Sequence, residues 1–245
     1  MRLLTFNIRL GAGGGMLAKP AYDVPASEQR DAALARAIQA VGPDIVALQE
    51  VRNHRHAEKI ADHVAMNCLY APHPSSYSLN FFEWGLALLY RSRLVGHGNF
   101  TVLFDPDVRT GRNGLWADVE GPGGALTVMN VHLDTRRPST QIEAVVSRAA
   151  RVNGPMVLMG DFNIAPNDDA LAPLKEMMID TCRAVDTSGS REAEALGTLS
   201  GDRRRIDQIW AAVDGFHVRD AGLLPPRHRW VSDHVGYFAD VEINA

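Results

Sequence analysis

Seven places in this chain put a side chain fit for acid–base or metal chemistry at or beside the end of an apolar run: Asn7, Glu50, His132, Asp161, Asn163, Asp207 and the pair Asp233-His234. One carboxylate at such a place is ordinary turn chemistry. Seven of these types are harder to assign to turns. Glu50 closes the run Ile45-Val46-Ala47-Leu48-Gln49 and is the best donor in the chain for a hard cation such as Mg²⁺ or Mn²⁺, which prefers carboxylate, amide and water oxygens. His234 with Asp207 suits a His–carboxylate pair, in which the acid fixes the tautomer and the ring takes a proton as general base. Asp161 and Asn163 stand at i and i+2, so an extended segment would put both on one face. Asn130, His132 and Asp134 alternate with Val131 and Leu133 and share a face on the same grounds.

Such residues converge only if strands bring them to one edge. Leu3 to Ile8 reads as a buried strand stopped by the glycines at 11, 13, 14 and 15. No Gly-Lys-Ser/Thr follows those glycines, so they form a loop and not a phosphate cradle. A helix opens at Ser27, carries Ala33, Leu34, Ala37, Ile38 and Val41 inward, and stops at Gly42-Pro43. Strands follow over Asp44–Val51, Gly85–Tyr90, Leu94–Phe104, Leu115–Val119, Ala125–Val131, Met156–Met159, Ile206–Val213 and Val235–Val241, with helices over His56–Met66 and Gln141–Ala150. Residues 186–202, rich in Ser, Gly, Asp and Glu, read as a mobile surface loop. Many strands with a few helices between them indicate an α/β sandwich of two stacked sheets, where ligands lie beyond the strand ends.

A length of 245 residues fits one domain spanning 1–245, and 46% hydrophobic residues supply its core. The net charge of −4 provides no field that would draw in a long polyanion. Cys68 and Cys182 make neither a disulfide framework nor a metal spacing. No run reaches the ~18 apolar residues of a membrane span, and Arg2-Leu3-Leu4-Thr5-Phe6 passes straight into polar Asn7 and Arg9, unlike a signal peptide. A cytoplasmic location is the default expectation. His54, His56, His63, His73, His97, His217 and His228 carry no metal spacing. Arg203-Arg204-Arg205 is either a solvated run or a lining of the cleft.

Six short motifs occur in order along the chain: Thr5-Phe6-Asn7-Ile8-Arg9, Asp44-Ile45-Val46-Ala47-Leu48-Gln49-Glu50-Val51, Asn130-Val131-His132-Leu133-Asp134, Gly160-Asp161-Phe162-Asn163, Arg205-Ile206-Asp207-Gln208-Ile209 and Ser232-Asp233-His234. Together they resemble the endonuclease/exonuclease/phosphatase superfamily, whose members include exonuclease III-like, deoxyribonuclease I-like and neutral sphingomyelinase-like enzymes. The resemblance implies a four-layer α/β/β/α sandwich with two mostly antiparallel sheets. It also implies a Mg²⁺- or Mn²⁺-dependent phosphoesterase that cleaves a P–O bond by attack of water. On it, Asn7 and Asp233 join Glu50 at the metal, and Asp161 and Asn163 orient the water and the phosphoryl oxygens. His132 meets charge on the phosphate or protonates the leaving group, with a structural histidine as the alternative. Whether Asp161 or the Asp207–His234 pair takes the proton is open. Arg9, Asn130 and Trp84 are candidates for substrate contact. The family's abasic-site nucleases carry a tyrosine in an equivalent part of the site where this chain has His132, and an acid where it has Arg9. A monomer acting on a small or lipid-like phosphate ester is therefore expected, with a nuclease as the alternative and a catalytically dead binding module as the reading of a different class.

Overall fold

The computed structural model describes residues 1–14, 21, 24–74, 83–105, 110–121 and 124–244. Gly15, the last of the glycine run, lies outside them.

The strands and helices follow in the order β1 (Arg2–Asn7), α1 (Glu28–Val41), β2 (Ile45–Val51), α2 (His54–Val64), β3 (Asn67–Pro72), β4 (Gly85–Tyr90), β5 (Leu94–Asp105), β6 (Thr110–Gly121), β7 (Gly124–His132) and α3 (Pro138–Ala149). There follow β8 (Met156–Asp161), α4 (Ala172–Lys175), β9 (Met178–Asp180), α5 (Ser188–Leu196), β10 (Asp207–Ala212), β11 (Phe216–Leu223) and β12 (Tyr237–Ile243). Two six-stranded sheets result, in the orders β11-β12-β1-β2-β4-β3 and β5-β6-β7-β8-β10-β9. Each sheet is antiparallel except for one central parallel pair, β1 with β2 and β7 with β8. A parallel pair needs a crossover, and α1 and α3 supply the two.

Side-chain parity assigns the layers. In β7, Leu126 and Val128 join the core shared by the two sheets, while Met129 and Val131 turn to the opposite face and pack with Ile142 and Val145 of α3. Ala33, Leu34 and Ile38 of α1 and Ala57 and Ile60 of α2 cover the outer face of the first sheet. Helix, sheet, sheet, helix is thus the layer order.

Gly42 ends α1 in the left-handed conformation (φ 66°), as the sequence indicates. Helix α2 starts earlier than its apolar pattern, because the Asn53 side chain caps the His56 N–H. Residues 186–202 are not one loop. Thr187 and Ser190 form a reciprocal capping box that starts α5, and Ala193 buries one face of the helix. Small polar residues masked that helix in the sequence. Strands β3, β9 and β11 are also absent from the sequence reading. β9 is three residues long, and β11 alternates buried and exposed positions without a strong apolar run. Among the described residues, no helix is long and apolar enough to cross a membrane.

Candidate active site

The parity that packs the two sheets also aims the polar strand ends. In β7 the inward set Leu126, Val128, Asn130 continues to His132, in β8 Val157 and Met159 continue to Asp161, and in β10 Ile209 and Ala211 share a face with Asp207. His132, Asp161 and Asp207 therefore point between the sheets at one edge of the sandwich, beside Asn7 and Glu50 from β1 and β2. Parallel pairing aligns His132 with Asp161, and antiparallel pairing aligns Asp207 with Asp161.

Local backbone irregularities complete the aim. A bulge in β2 falls between Leu48 and Val51, and Glu50 within it has φ 52°. Gly160 has φ 153°, and a Cβ there would run into the Val131 carbonyl, so only glycine lets β8 approach β7 this closely. After β8 the chain turns sharply. The Asn163 N–H donates to Asp161 Oδ1 at 2.9 Å, and Asn163 itself is left-handed at φ 55°. The segment is therefore not extended. Asn163 still borders the cleft, but its amide donates to the Leu133 carbonyl at 2.8 Å.

Asp161 Oδ2 is the hub. Asn7 Nδ2 donates to it at 3.0 Å and to Glu50 Oε1 at 3.1 Å, while His132 Nε2 lies 3.6 Å away and His234 Nε2 3.8 Å. His234 Nδ1 is 2.8 Å from Asp207 Oδ2, and both residues are buried. Thr198 Oγ1 accepts the backbone N–H groups of Ile206 and Asp207, which sets the start of β10. The stretch before it holds the opposite partner through Ser200 N–H to the Asp233 carbonyl and Val235 N–H to the Thr198 carbonyl.

Charge in this cluster follows from burial and neighbours. Burial opposes the charged form of His234, but Asp207, through charge and hydrogen bond, with Asp161 and Asp233, holds it up to about 10. Burial with no comparable partner pushes His132 down to about 3, although Asp161 opposes the drop. Burial raises Glu50, and the Asp161 and Asp233 carboxylates raise it further against the Asn7 hydrogen bond. Burial and then Asp207 raise Asp161.

Glu50, His132, Asp161 and His234 border a cleft of about 420 Å³ together with Leu10, Ala21, Trp84, Arg112 and Asn163. The Arg112 guanidinium sits 4.7 Å over the Trp84 ring and reaches Asp134 Oδ2 at 3.3 Å. Trp84 also meets His73 and His132 edge-on, at centroid distances of 4.6 and 5.6 Å. Trp84 thus lines the cleft. Arg112 and His73 were missed in the sequence. Neither belongs to an apolar-run ending: Arg112 lies within the glycine-flanked start of β6, and His73 follows β3, itself unread.

Two expected substrate contacts lie elsewhere. Asn130 is fully buried between the sheets, where its amide donates to the carbonyls of Leu48 and Ala87 at 2.9 Å and accepts from Gln49 Nε2 at 2.8 Å. With donors and acceptor all engaged inside the protein, it ties one sheet to the other and does not face the cleft. Arg9 is buried; its guanidinium bonds the Gly13 carbonyl and pairs with Asp233 at 3.2 Å. It supports Asp233. Of the arginine run, Arg205 is buried against Asp180 and Glu194 and over the Tyr237 ring, so it is neither solvated nor at the cleft. Arg203 and Arg204 are exposed.

Asp161, Asp207 and His234 offer ligand atoms within 4.8 Å of one another and could hold a metal ion. The Nδ1 of His234 is already engaged by Asp207, however. The harder donor set is Glu50, Asp233 and the Asn7 amide; burial first, and the Asp161 and Asp233 carboxylates after it, raise Glu50, a condition that a cation relieves. The residues fit a hard divalent ion.

Residues 4–234 match the Endonuclease/Exonuclease/phosphatase family. The fold is similar to a conserved protein of unknown function from Enterococcus faecalis, with TM-score 0.79, 20% identity and all of both chains covered. It is similar to a mannosyl-6-phosphatase from Bacteroides thetaiotaomicron, with TM-score 0.75, 21% identity and 99% of each chain covered. It is also similar to the human Nocturnin catalytic domain with bound sulfate, with TM-score 0.76, 22% identity, 100% of this chain and 93% of that one. At these identities the likeness is one of fold. Among curated proteins none matches by sequence.

Proposed function

The chain belongs to the endonuclease/exonuclease/phosphatase family, and from that premise we propose that it is a Mg²⁺- or Mn²⁺-dependent phosphoesterase acting on a small or lipid-like phosphate ester, most readily a phosphodiester. The observation that carries this is the Asp161 hub: both sheets deliver a donor to one carboxylate oxygen within 3.8 Å, beside a cleft holding an arginine.

Glu50, Asp233 and Asn7 would hold the cation, which when bound draws charge from the phosphoryl oxygens and acidifies water. Arg112, which lines the same cleft, offers its guanidinium to the phosphoryl group. Asp161 takes the proton of the attacking water, since burial raises its basicity and it stands at the centre of the cluster. His234 acts beside it as an imidazolium, held charged by Asp207, steadying the negative charge that builds up. Of the two alternatives that the sequence leaves open, the charge held on His234 favours Asp161 as the base. His132, kept neutral by burial, presents Nε2 to the same point and meets the phosphoryl or leaving oxygen.

The test is phosphate or phenolate release from bis(p-nitrophenyl) phosphate, p-nitrophenyl phosphate, sphingomyelin and single- and double-stranded DNA, with Mn²⁺ and with EDTA. Mn²⁺-dependent hydrolysis of a small or lipid ester with weak duplex nicking is expected. Efficient, salt-sensitive nicking of duplex DNA would move the enzyme to the nuclease branch, because a site built for duplex makes several phosphate contacts. No metal-dependent hydrolysis of any ester would overturn the proposal.

A further inference from the structure

His73 is fully buried at the back of the cleft wall, and its position is set by the backbone on both sides. Its N–H donates to the Trp84 carbonyl at 2.9 Å, and its ring Nδ1 accepts the Asn113 N–H at 3.1 Å. An Nδ1 that accepts is unprotonated, so the proton of the neutral ring is on Nε2. Burial holds this ring well below its usual range, and neutral. Nε2–H is thus a buried donor, and it has no protein partner among the described residues.

The neighbouring ring, His132, has the complementary need. Its Nε2 faces Asp161 Oδ2 at 3.6 Å. A bare lone pair pointed at a carboxylate is repelled, so the proton belongs on Nε2 and Nδ1 becomes an acceptor. That Nδ1 is buried and, among the described residues, also has no protein partner. One orphan donor and one orphan acceptor therefore occur on rings whose centroids are 6.2 Å apart, both against the Trp84 ring. Buried polar groups are rarely left unmatched. Ring atoms lie about 1.2 Å from a centroid, so facing nitrogens at this separation are too far apart for one hydrogen bond. They are close enough for two bonds of about 2.8 Å each meeting at a water.

We infer that His73 is a positioning residue: its Nε2–H and the Nδ1 of His132 share one bound water, which fixes His132 as the Nε2–H tautomer aimed at the reacting phosphate. The chain of donors runs from the Asn113 N–H through His73 and the water to His132 and on to Asp161. Each step gives one hydrogen and takes one. The inference deepens the phosphoesterase reading and rests on it for the catalytic consequence, but the tautomer itself is a property of the resting protein.

Two isosteric substitutions separate the functions of the two His73 nitrogens. His73→Asn keeps an acceptor near the Nδ1 position and removes the donor, whereas His73→Gln places an amide N–H near the Nε2 position. The tautomer is read by long-range ¹H–¹⁵N spectra of ¹⁵N-histidine-labelled full-length protein, with His132 assigned by the signals lost in His132→Gln. Wild type and His73→Gln are expected to show His132 as Nε2–H, and His73→Asn a mixture of tautomers. With Mn²⁺ and bis(p-nitrophenyl) phosphate, kcat of His73→Asn should fall roughly tenfold with KM little changed, and His73→Gln should recover most of it. His132 found as Nδ1–H in the wild type overturns the inference, whether or not either variant folds. So does an unchanged Nε2–H tautomer in a folded His73→Asn. A wild type inactive on every ester sinks the phosphoesterase reading, while its tautomer still decides the part played by His73.

Discussion

Asp207→Asn removes the charge that holds His234 protonated while leaving the volume of the site unchanged. In the folded protein His234 stays charged until about 10, against a reference near 6.5 in the unfolded chain. A raised pKa means the folded state binds the proton more tightly. The resulting stability is fully present below about pH 6.5 and is lost as pH rises toward about 10. Each unit in that window is worth at most about 1.4 kcal/mol, so the ceiling for the whole pair is about 5 kcal/mol. His234 is only 7% exposed, so solvent screening takes little from that figure. The amide that replaces the carboxylate can still hydrogen-bond the ring but offers no charge, and burial then drives the imidazole toward neutrality.

The assay is urea unfolding of the wild type and the variant, both in EDTA, at intervals from pH 6 to pH 10. Other groups titrate in this range, and taking the difference between the two proteins removes them. The wild type should be more stable by a few kcal/mol at pH 6, with the gap closing toward pH 10. In Mn²⁺, kcat of the variant should fall far more than KM rises, since the imidazolium acts on charge that develops in the reaction. A stability gap that stays constant across the pH range would refute the charged pair. Equal losses in kcat and substrate affinity would refute its catalytic part.

Glu50→Gln should abolish Mn²⁺-dependent turnover and also the rise in melting temperature on adding Mn²⁺, with the EDTA melting temperature preserved; activity near the wild-type level would remove Glu50 from the metal. Arg112→Met keeps an aliphatic stem over Trp84 but no fork, and should cost at least about tenfold in kcat/KM, mostly through KM. Asn130→Ala should destabilise by about 2–4 kcal/mol in urea unfolding, because it orphans buried groups of β2 and β4 on the facing sheet. Per folded molecule its activity should survive, and a selective loss of kcat would return Asn130 to the substrate.

What was legible in the sequence was whatever depends on period and punctuation. The apolar run ending at Glu50 and the Gly42 stop each have a local cause, and the structure places them where that cause demands, whereas β8 runs two residues past Met159 to Asp161. Asn130, His132 and Asp134 were read as one face, correctly, but which way the face turns is a tertiary fact. Asn130 faces the other sheet because Leu126 and Val128 ahead of it do. Asn163 leaves the extended spacing that i, i+2 implies because the chain becomes left-handed there, and an Asn signals that conformation only weakly. Arg205 looked like part of a charge run, and its burial needs Asp180 and Glu194, which are distant in sequence. His73 and Arg112 could have been found only by knowing that β3, β4 and β6 meet at Trp84.

The shared strand pattern of the two sheets explains why the site is at their seam. Each sheet runs two antiparallel pairings, one parallel pairing and two more antiparallel pairings, with a helix crossing over the parallel pair. In both, the functional side chains stand at the C-terminal ends of that pair: Asn7 and Glu50 in one, His132 and Asp161 in the other. Neither sheet alone has both the harder oxygen donors and the proton-carrying groups. The hydrogen bond from Asn7 to Asp161 crosses the seam. So does the buried network of Gln49, Asn130 and the carbonyls of Leu48 and Ala87, which costs free energy unless every partner is in register. Apolar faces would tolerate a slide of one sheet over the other far better than this network does. Register between the sheets is therefore specified one layer below the hub, by residues that never meet substrate.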